Sequence, residues 1–142
     1  MIKVLSGKSK ESWLDTNDHV NIRFYTELLD ESLSELVRLP NSINVFLEKN
    51  VTFVVARFIT VHIREMKSFQ NWIMKAGVYE LSQTGFKTIH ELYVDNQRIT
   101  KFYAWSRFFN LDTRTSVKVS ADKKIDFLLP IIKEIEDPFN KF

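Results

Sequence analysis

The side chains able to do chemistry are numerous but thinly grouped. The three histidines, His19, His62 and His90, stand far apart. His90-Glu91 is not followed by the second histidine that a zinc-binding helix needs, so no metal site is expected. The chain has no cysteine, which excludes disulfides, thiolate nucleophiles and cysteine-based metal centres. Gly7, Gly77 and Gly85 are too scattered to form a phosphate-binding loop. Serines and acids are plentiful, but none sits in a recognisable nucleophile turn. Because a triad is a spatial arrangement, sequence spacing leaves that question open.

Cations give a stronger signal. His62, Arg64, Lys67 and Lys75 surround Ser68 and Gln70. On a helix, Arg64, Lys67 and Ser68 would share a face and could hold a phosphate through charge-assisted hydrogen bonds. The alternative is a solvated outer face. A second stretch, residues 98–124, carries Arg98, Lys101, Arg107, Arg114, Lys118, Lys123 and Lys124 against Asp112 and Asp122. Phe102, Tyr103, Trp105, Phe108 and Phe109 are interleaved with them. Bases stack on aromatics while cations hold phosphates, so this mixture suits a nucleotide or a single strand of nucleic acid. The alternative is an amphipathic helix with a buried aromatic side.

The elements that must position these groups follow from hydrophobic spacing. Ile2 to Leu5 is predicted as a strand and residues 8–19 as polar loop. Val20, Ile22 and Phe24 alternate as in a short strand. Thr26 then caps a helix with Leu28, Leu29, Leu33, Leu36 and Val37 on one face, and Pro40 ends it. Val51 to Lys75 carries two periods at once. A strand over 51–56 followed by a helix over 58–75, stopped by Gly77, reconciles them. Ile99, Phe102, Tyr103, Trp105, Phe108 and Phe109 form another helical stripe. Residues 111–121 are loop with an extended piece at Val117-Lys118-Val119. A last helix from near Asp122 buries Ile125, Leu128, Leu129, Ile132 and Ile135, either kinks at Pro130 or begins later, and stops at Asp137-Pro138.

Composition bounds the class. At 142 residues, with 44% hydrophobic and 27% charged residues, the chain suits one domain, residues 1–142, with a real core. Its net charge of +2 is too small to imply a nucleic acid or a membrane by itself. The run Phe53-Val54-Val55-Ala56 is cut by Arg57, far short of a membrane span. Met1 to Gly7 turns polar too soon for a signal peptide. A cytoplasmic protein is expected.

Two segments resemble the flavin-dependent thymidylate synthases. Ile2-Lys3-Val4-Leu5 is similar to that family's first strand. Asn41 to Phe46 followed by Val51-Thr52-Phe53-Val54-Val55 is similar to its loop and aromatic-Thr-Phe-x-Val strand. Gly77-Val78-Tyr79 is similar to the end of its flavin signature, Arg107-Phe108-Phe109-Asn110-Leu111 to its Asn-Leu-Arg segment, and Pro130 to Phe139 to its last helix. The Arg-His-Arg triplet is replaced by Val61 to Lys67, the later signature arginine by Val78, and the arginine after Asn-Leu by Asp112. The resemblance implies an α+β domain, a small sheet packed against helices (ThyX-like); an all-α helical domain is the alternative. It implies a homo-oligomer related to dUMP, with a degenerate active site and doubtful catalysis. FAD would lie against His62, Arg64, Lys67, Ser68 and Tyr79, and a nucleotide against Arg107, Asn110 and Arg114. If active, it would carry out flavin-mediated reductive methylation of dUMP. The second reading is a non-catalytic protein-interaction or single-stranded nucleic-acid-binding module using segment 98–124.

Overall fold

A computed structural model describes residues 1–40, 42–120 and 131–140 of the chain. Its elements are β1 (Ile2–Lys8), α1 (Ile22–Arg38), β2 (Val51–His62), β3 (Asn71–Leu81), β4 (Gly85–Val94), β5 (Gln97–Asn110) and the short β6 (Thr115–Ser116). All strands join one antiparallel sheet in the order β1-β3-β4-β5-β2, with β6 beside the end of β5. The sheet curls around α1. Sheet, not helix, dominates, so the α+β class holds and the all-α alternative does not.

Helix α1 starts earlier than the spacing predicts. Its N-cap is Asn21, whose side chain accepts from the Arg23 amide, and Thr26 lies inside the helix. The expected strand through Val20, Ile22 and Phe24 does not form. The far end is as expected: Leu39 is extended before Pro40 and the helix stops at Arg38. Tyr25, Leu28, Leu29, Leu33, Leu36 and Val37 form the buried stripe. Against it lie Met74, Ala76 and Val78 of β3, Phe86 and Leu92 of β4, and Phe102, Ala104 and Phe108 of β5.

The predicted helix over 58–75 is absent, because Val51 to His62 runs as one strand. A β-bulge between Val55 and Arg57 explains the double period. Cross-strand partners share a face. Phe53 and Val55 oppose Phe108 and Ser106, while Phe58, Thr60 and His62 oppose Ala104, Phe102 and Thr100. The extra residue shifts the alternation by one, so apolar positions 51, 55 and 58 imitate helical spacing. The stripe at 99–109 is likewise strand. Thr100, Phe102, Ala104, Ser106 and Phe108 are buried, alternating with half-buried Lys101, Tyr103, Trp105 and Arg107. Aromatics occur on both faces because both are covered. Asp95 and Asn96, with φ of 51° and 62°, form the two-residue turn between β4 and β5. At the other end of β4, a Cβ on Gly85 would lie 2.0 Å from the Ser106 carbonyl oxygen, so the close strand approach requires glycine.

The outer face is covered by residues 131–140, which are not helical before the short turn at Pro138–Asn140. The Ile132 amide donates to the Val78 carbonyl at 2.9 Å. The Asp137 carboxylate accepts from Lys87 Nζ at 2.5 Å and from the Tyr79 hydroxyl at 3.1 Å. Phe139 packs on Trp105. The predicted final helix therefore fails at Ile132 and Ile135; its Asp122, Ile125, Leu128, Leu129 and Pro130 lie outside the described residues. Val117 to Val119 is not a strand, although its amides at 117 and 119 bond to Phe108 and Gln83.

Between helix and sheet lies a buried polar array. Ser32 Oγ sits 2.6 Å from His90 Nδ1, and His90 Nε2 sits 2.9 Å from Thr88 Oγ1. Burial pushes the His90 pKa down to about 3. The unfolded chain therefore takes up this proton first. The stability that His90 contributes is complete above its ordinary value of 6.5 and is lost as pH falls toward 3. Between pH 7 and 4.5, urea unfolding of the wild type should lose about 2–3 kcal/mol more stability than unfolding of His90→Gln. Equal losses in the two proteins would contradict this assignment.

Candidate active site

The segment before α1 is not a featureless loop. Leu14 and Val20 form an antiparallel bridge, and the chain between them turns through Asp18 at φ 60°. Asp15 organises the turn. Its Oδ1 accepts from the Asn17 amide at 2.8 Å and the His19 amide at 3.4 Å. No hydrogen bond among the described residues engages its Oδ2. Asn21, two residues after His19, then caps α1. One short stretch thus delivers a fixed carboxylate, an imidazole and a helix N-terminus.

The segment after β2 closes the other side. The Val20 amide donates to the Met66 carbonyl at 3.1 Å, and the Met66 amide donates to the Tyr25 hydroxyl oxygen at 3.1 Å. The His19 Nδ1 contacts the Glu65 carboxylate, which also faces Lys67 Nζ at 3.7 Å. Between the two segments opens a cavity of about 370 Å³, with Asp15, His19, Tyr25, His62, Arg64 and Glu65 on its walls. His62 meets Tyr25 edge-on, with ring centroids 4.8 Å apart. Desolvation lowers the His62 pKa below its ordinary value, so its imidazole is neutral at neutral pH. Burial, chiefly, raises the Tyr25 pKa, which keeps its hydroxyl protonated. Ile22, the first residue of α1, also lines the cavity. The positive end of the helix dipole therefore lies at its mouth. A carboxylate, a neutral imidazole and the positive end of a helix dipole together suit attack of water on a polarised carbonyl.

Of the residues predicted from the two basic stretches, His62 and Arg64 line this cavity, and Lys67 and Ser68 follow in the same β2–β3 loop. They lie on no helix face. Tyr79 lies on the outer face of β3, where burial and the neighbouring Asp137 carboxylate push its pKa strongly up. Arg107 stacks on Trp105, with its Cζ 5.1 Å from the ring centroid. Asn110 accepts from the Asp112 and Thr113 amides in the turn after β5. Arg114 lies over Phe109. The pairing of Val51 with Asn110, Val54 with Arg107 and His62 with Thr100 puts this second group toward the opposite end of β2 from His62, roughly 25–35 Å along the strand.

The interleaved aromatics and cations have a structural use. Trp105 is faced by Lys87 at 4.7 Å, Arg107 at 5.1 Å and Arg57 at 5.9 Å, with Phe139 against it. Lys87 is anchored between Asp137 and Glu80. Burial alone would lower its pKa, but these two carboxylates outweigh that and raise it. Nothing in this arrangement supports nucleic-acid binding. Among the described residues, no group of three or more His, Asp or Glu side chains could hold a metal ion, and no helix is long and apolar enough to cross a membrane.

The family model of the thioesterase-like superfamily matches residues 10–130. The chain belongs to that superfamily. No curated protein matches by sequence. Solved structures share the fold, a curled antiparallel sheet around one helix of the hotdog type. YbaW, a probable thioesterase from Escherichia coli, superposes with a TM-score of 0.74 at 17% identity, over 83% of this chain and 90% of that one. The hypothetical protein SAV2348 from Staphylococcus aureus, solved in complex with CoA, gives 0.71 at 14% over 83% and 78%. BH1999, a gentisyl-coenzyme A thioesterase, gives 0.68 at 12% over 83% and 94%.

This membership overturns the resemblance to flavin-dependent thymidylate synthases, and with it the flavoprotein and dUMP-related readings. That resemblance needed a strand feeding a helix at 58–75. Here the strand feeds a hairpin, and the apolar matches reflect sheet periodicity. Neither the family nor the site supports a flavin.

Sequence reasoning missed Asp15, His19, Asn21 and Glu65. An available signal was the spacing Asp15-x-x-x-His19-x-Asn21 directly before an amphipathic helix, where Asn is a preferred cap. Removing the Tyr25 hydroxyl should leave the buried Met66 amide without its acceptor. Tyr25→Phe is expected to lower the unfolding free energy by about 1–3 kcal/mol, read by urea denaturation; an unchanged midpoint would show that this bond does not hold the cavity wall.

Proposed function

We propose that this protein hydrolyses an acyl-coenzyme A thioester. The observation that carries the reading is the Asp15 carboxylate. It is oriented by two amides, has one oxygen uncommitted, and shares the cavity with the N-terminus of α1. The thioester carbonyl sits at that N-terminus, where the positive end of the helix dipole stabilises the negative charge that develops on its oxygen. Asp15 takes a proton from water as the water oxygen bonds to the carbonyl carbon. The C–S bond then breaks, and the proton passes to the leaving thiolate, giving a free acid and a thiol. His62, neutral at neutral pH, and Tyr25 supply the polar wall. Membership of the thioesterase-like superfamily supports this reading, as do similar folds that include one solved with CoA and one gentisyl-coenzyme A thioesterase.

Arg64 and Lys67 are assigned to the phosphates of the coenzyme. Both are exposed cations, Arg64 on the cavity wall and Lys67 three residues on in the same loop, and suit charge-assisted hydrogen bonds to phosphate. The assembly is proposed to be a homodimer through β2. That strand is a sheet edge of 12 residues. Val54, Val55, Phe58 and Val61 on it, and Ile63 just beyond, are 40–53% exposed. A long apolar edge in isolation is a site for further strand pairing.

Thiol release from a panel of acyl-CoA thioesters tests the activity. Asp15→Asn keeps the amide contacts of Oδ1 and removes the base, so kcat/KM should fall about 100-fold or more with the circular dichroism unchanged. Absence of thiol release from every thioester would refute the proposal. Sedimentation velocity tests the assembly: the wild type should run as a dimer, and Val54→Lys/Val61→Lys should shift it to monomer.

A further inference from the structure

A second cavity lies directly beyond the polar one, along the same cleft between α1 and β2. It has a volume of about 350 Å³ and is walled by Leu29 and Leu33 of α1, Val55 and Phe58 of β2, and Ala104 of β5. The two cavities are consecutive. Ile22 and Tyr25 belong to the first, and Thr26 and Leu29, one turn on, to the second. On the strand, His62 lines the first and Phe58, two inward positions earlier, lines the second. Both open on the uncovered inner side of the edge strand.

The lining is specific in two respects. Its floor is Ala104, 1% exposed, which on the inner face of β5 stands between Phe102 and Phe108, with Ser106 before the latter. A large side chain there would fill the space that the cavity occupies. Its rim carries Glu27 and Asp30, exposed on α1 one helical turn apart by position. Neither is paired with a cation among the described residues. The cavity thus has apolar walls and an anionic mouth.

We propose that this slot receives the acyl chain of the thioester, that Ala104 sets its depth, and that Glu27 and Asp30 reject acyl groups ending in a carboxylate. The inference rests on the thioesterase reading and adds a substrate class to it: uncharged, apolar acyl groups of medium length. An apolar chain gains by leaving water for the Leu29, Leu33, Val55 and Phe58 walls. A carboxylate at its end would be brought beside two like charges, which is an effective device for excluding a competitor.

Hydrolysis of acetyl-, butanoyl-, octanoyl- and succinyl-CoA, followed by thiol release, tests both parts. The kcat/KM for octanoyl-CoA should exceed that for acetyl-CoA by about tenfold or more. Ala104→Leu should collapse that ratio toward one. The ratio of succinyl to butanoyl should be about one tenth or lower, and Glu27→Gln/Asp30→Asn should raise it about tenfold. An octanoyl-to-acetyl ratio untouched by Ala104→Leu overturns the slot, and a succinyl-to-butanoyl ratio untouched by the double variant overturns the gate. If the wild type cleaves none of the four, the hydrolytic reading falls alone. The slot is then read by calorimetry, where octanoyl-CoA should bind more tightly than CoA and Ala104→Leu should abolish the difference. Equal affinities for the wild type would overturn it independently.

Discussion

Helix α1 has 17 residues, and seven of them are buried against strands. A helix of that length is marginal in water by itself, since most helical stability in proteins comes from packing an apolar face. A sheet with one apolar face has the matching problem. Curling the sheet around the helix satisfies both, and every other feature of the molecule is placed by that contact. The curl brings β3, β4 and β5 under the apolar stripe and leaves β2, at the edge, only partly covered. The cleft between α1 and β2 is therefore a consequence of the packing, and the candidate active site and the apolar slot lie along it.

The inner and outer faces of the sheet are managed differently. On the inner face, Ser32, His90 and Thr88 are tied together, whereas Thr100 Oγ1 and Ser106 Oγ are buried with no hydrogen-bond partner among the described residues. On the outer face, a row of aromatics and cations is closed by the segment that brings Asp137 to Lys87 and Tyr79, and Phe139 to Trp105. Burial favours neither charge of the Lys87–Asp137 pair, yet each carries hydrogen bonds that outweigh it. Asp137 is held below the usual carboxylate range and Lys87 above the usual lysine range. That network gives Trp105 and Arg107 of the charge-aromatic stretch a structural use.

The site is assembled from segments distant in sequence but adjacent across the cleft. Asp15, His19 and Asn21 arrive on the approach to α1, and His62, Arg64 and Glu65 arrive at the exit of β2. The link between the two segments is made by the main-chain bond from Val20 to Met66 and by the Met66 amide donating to the Tyr25 hydroxyl. The chemistry of the cleft depends on backbone pairing as much as on the side chains that line it.

Local patterns in the sequence determined what depends on short range. The strand at Ile2–Leu5, the apolar stripe of α1, its end before Pro40 and the extended run at 51–56 were all legible, because each is set by neighbouring residues. The cations at 62–68 were recognisable as a group, although the loop that carries them was not. Only tertiary structure decided the rest. The bulge in β2 disguised one strand as a helix, burial of β5 on both faces hid its alternation, and the Asp95-Asn96 turn carried no glycine to announce a hairpin. Asp15 looked like one polar loop residue among many, since what distinguishes it is a cavity and a helix N-terminus. Both are created by parts of the chain that meet only when the sheet closes around α1.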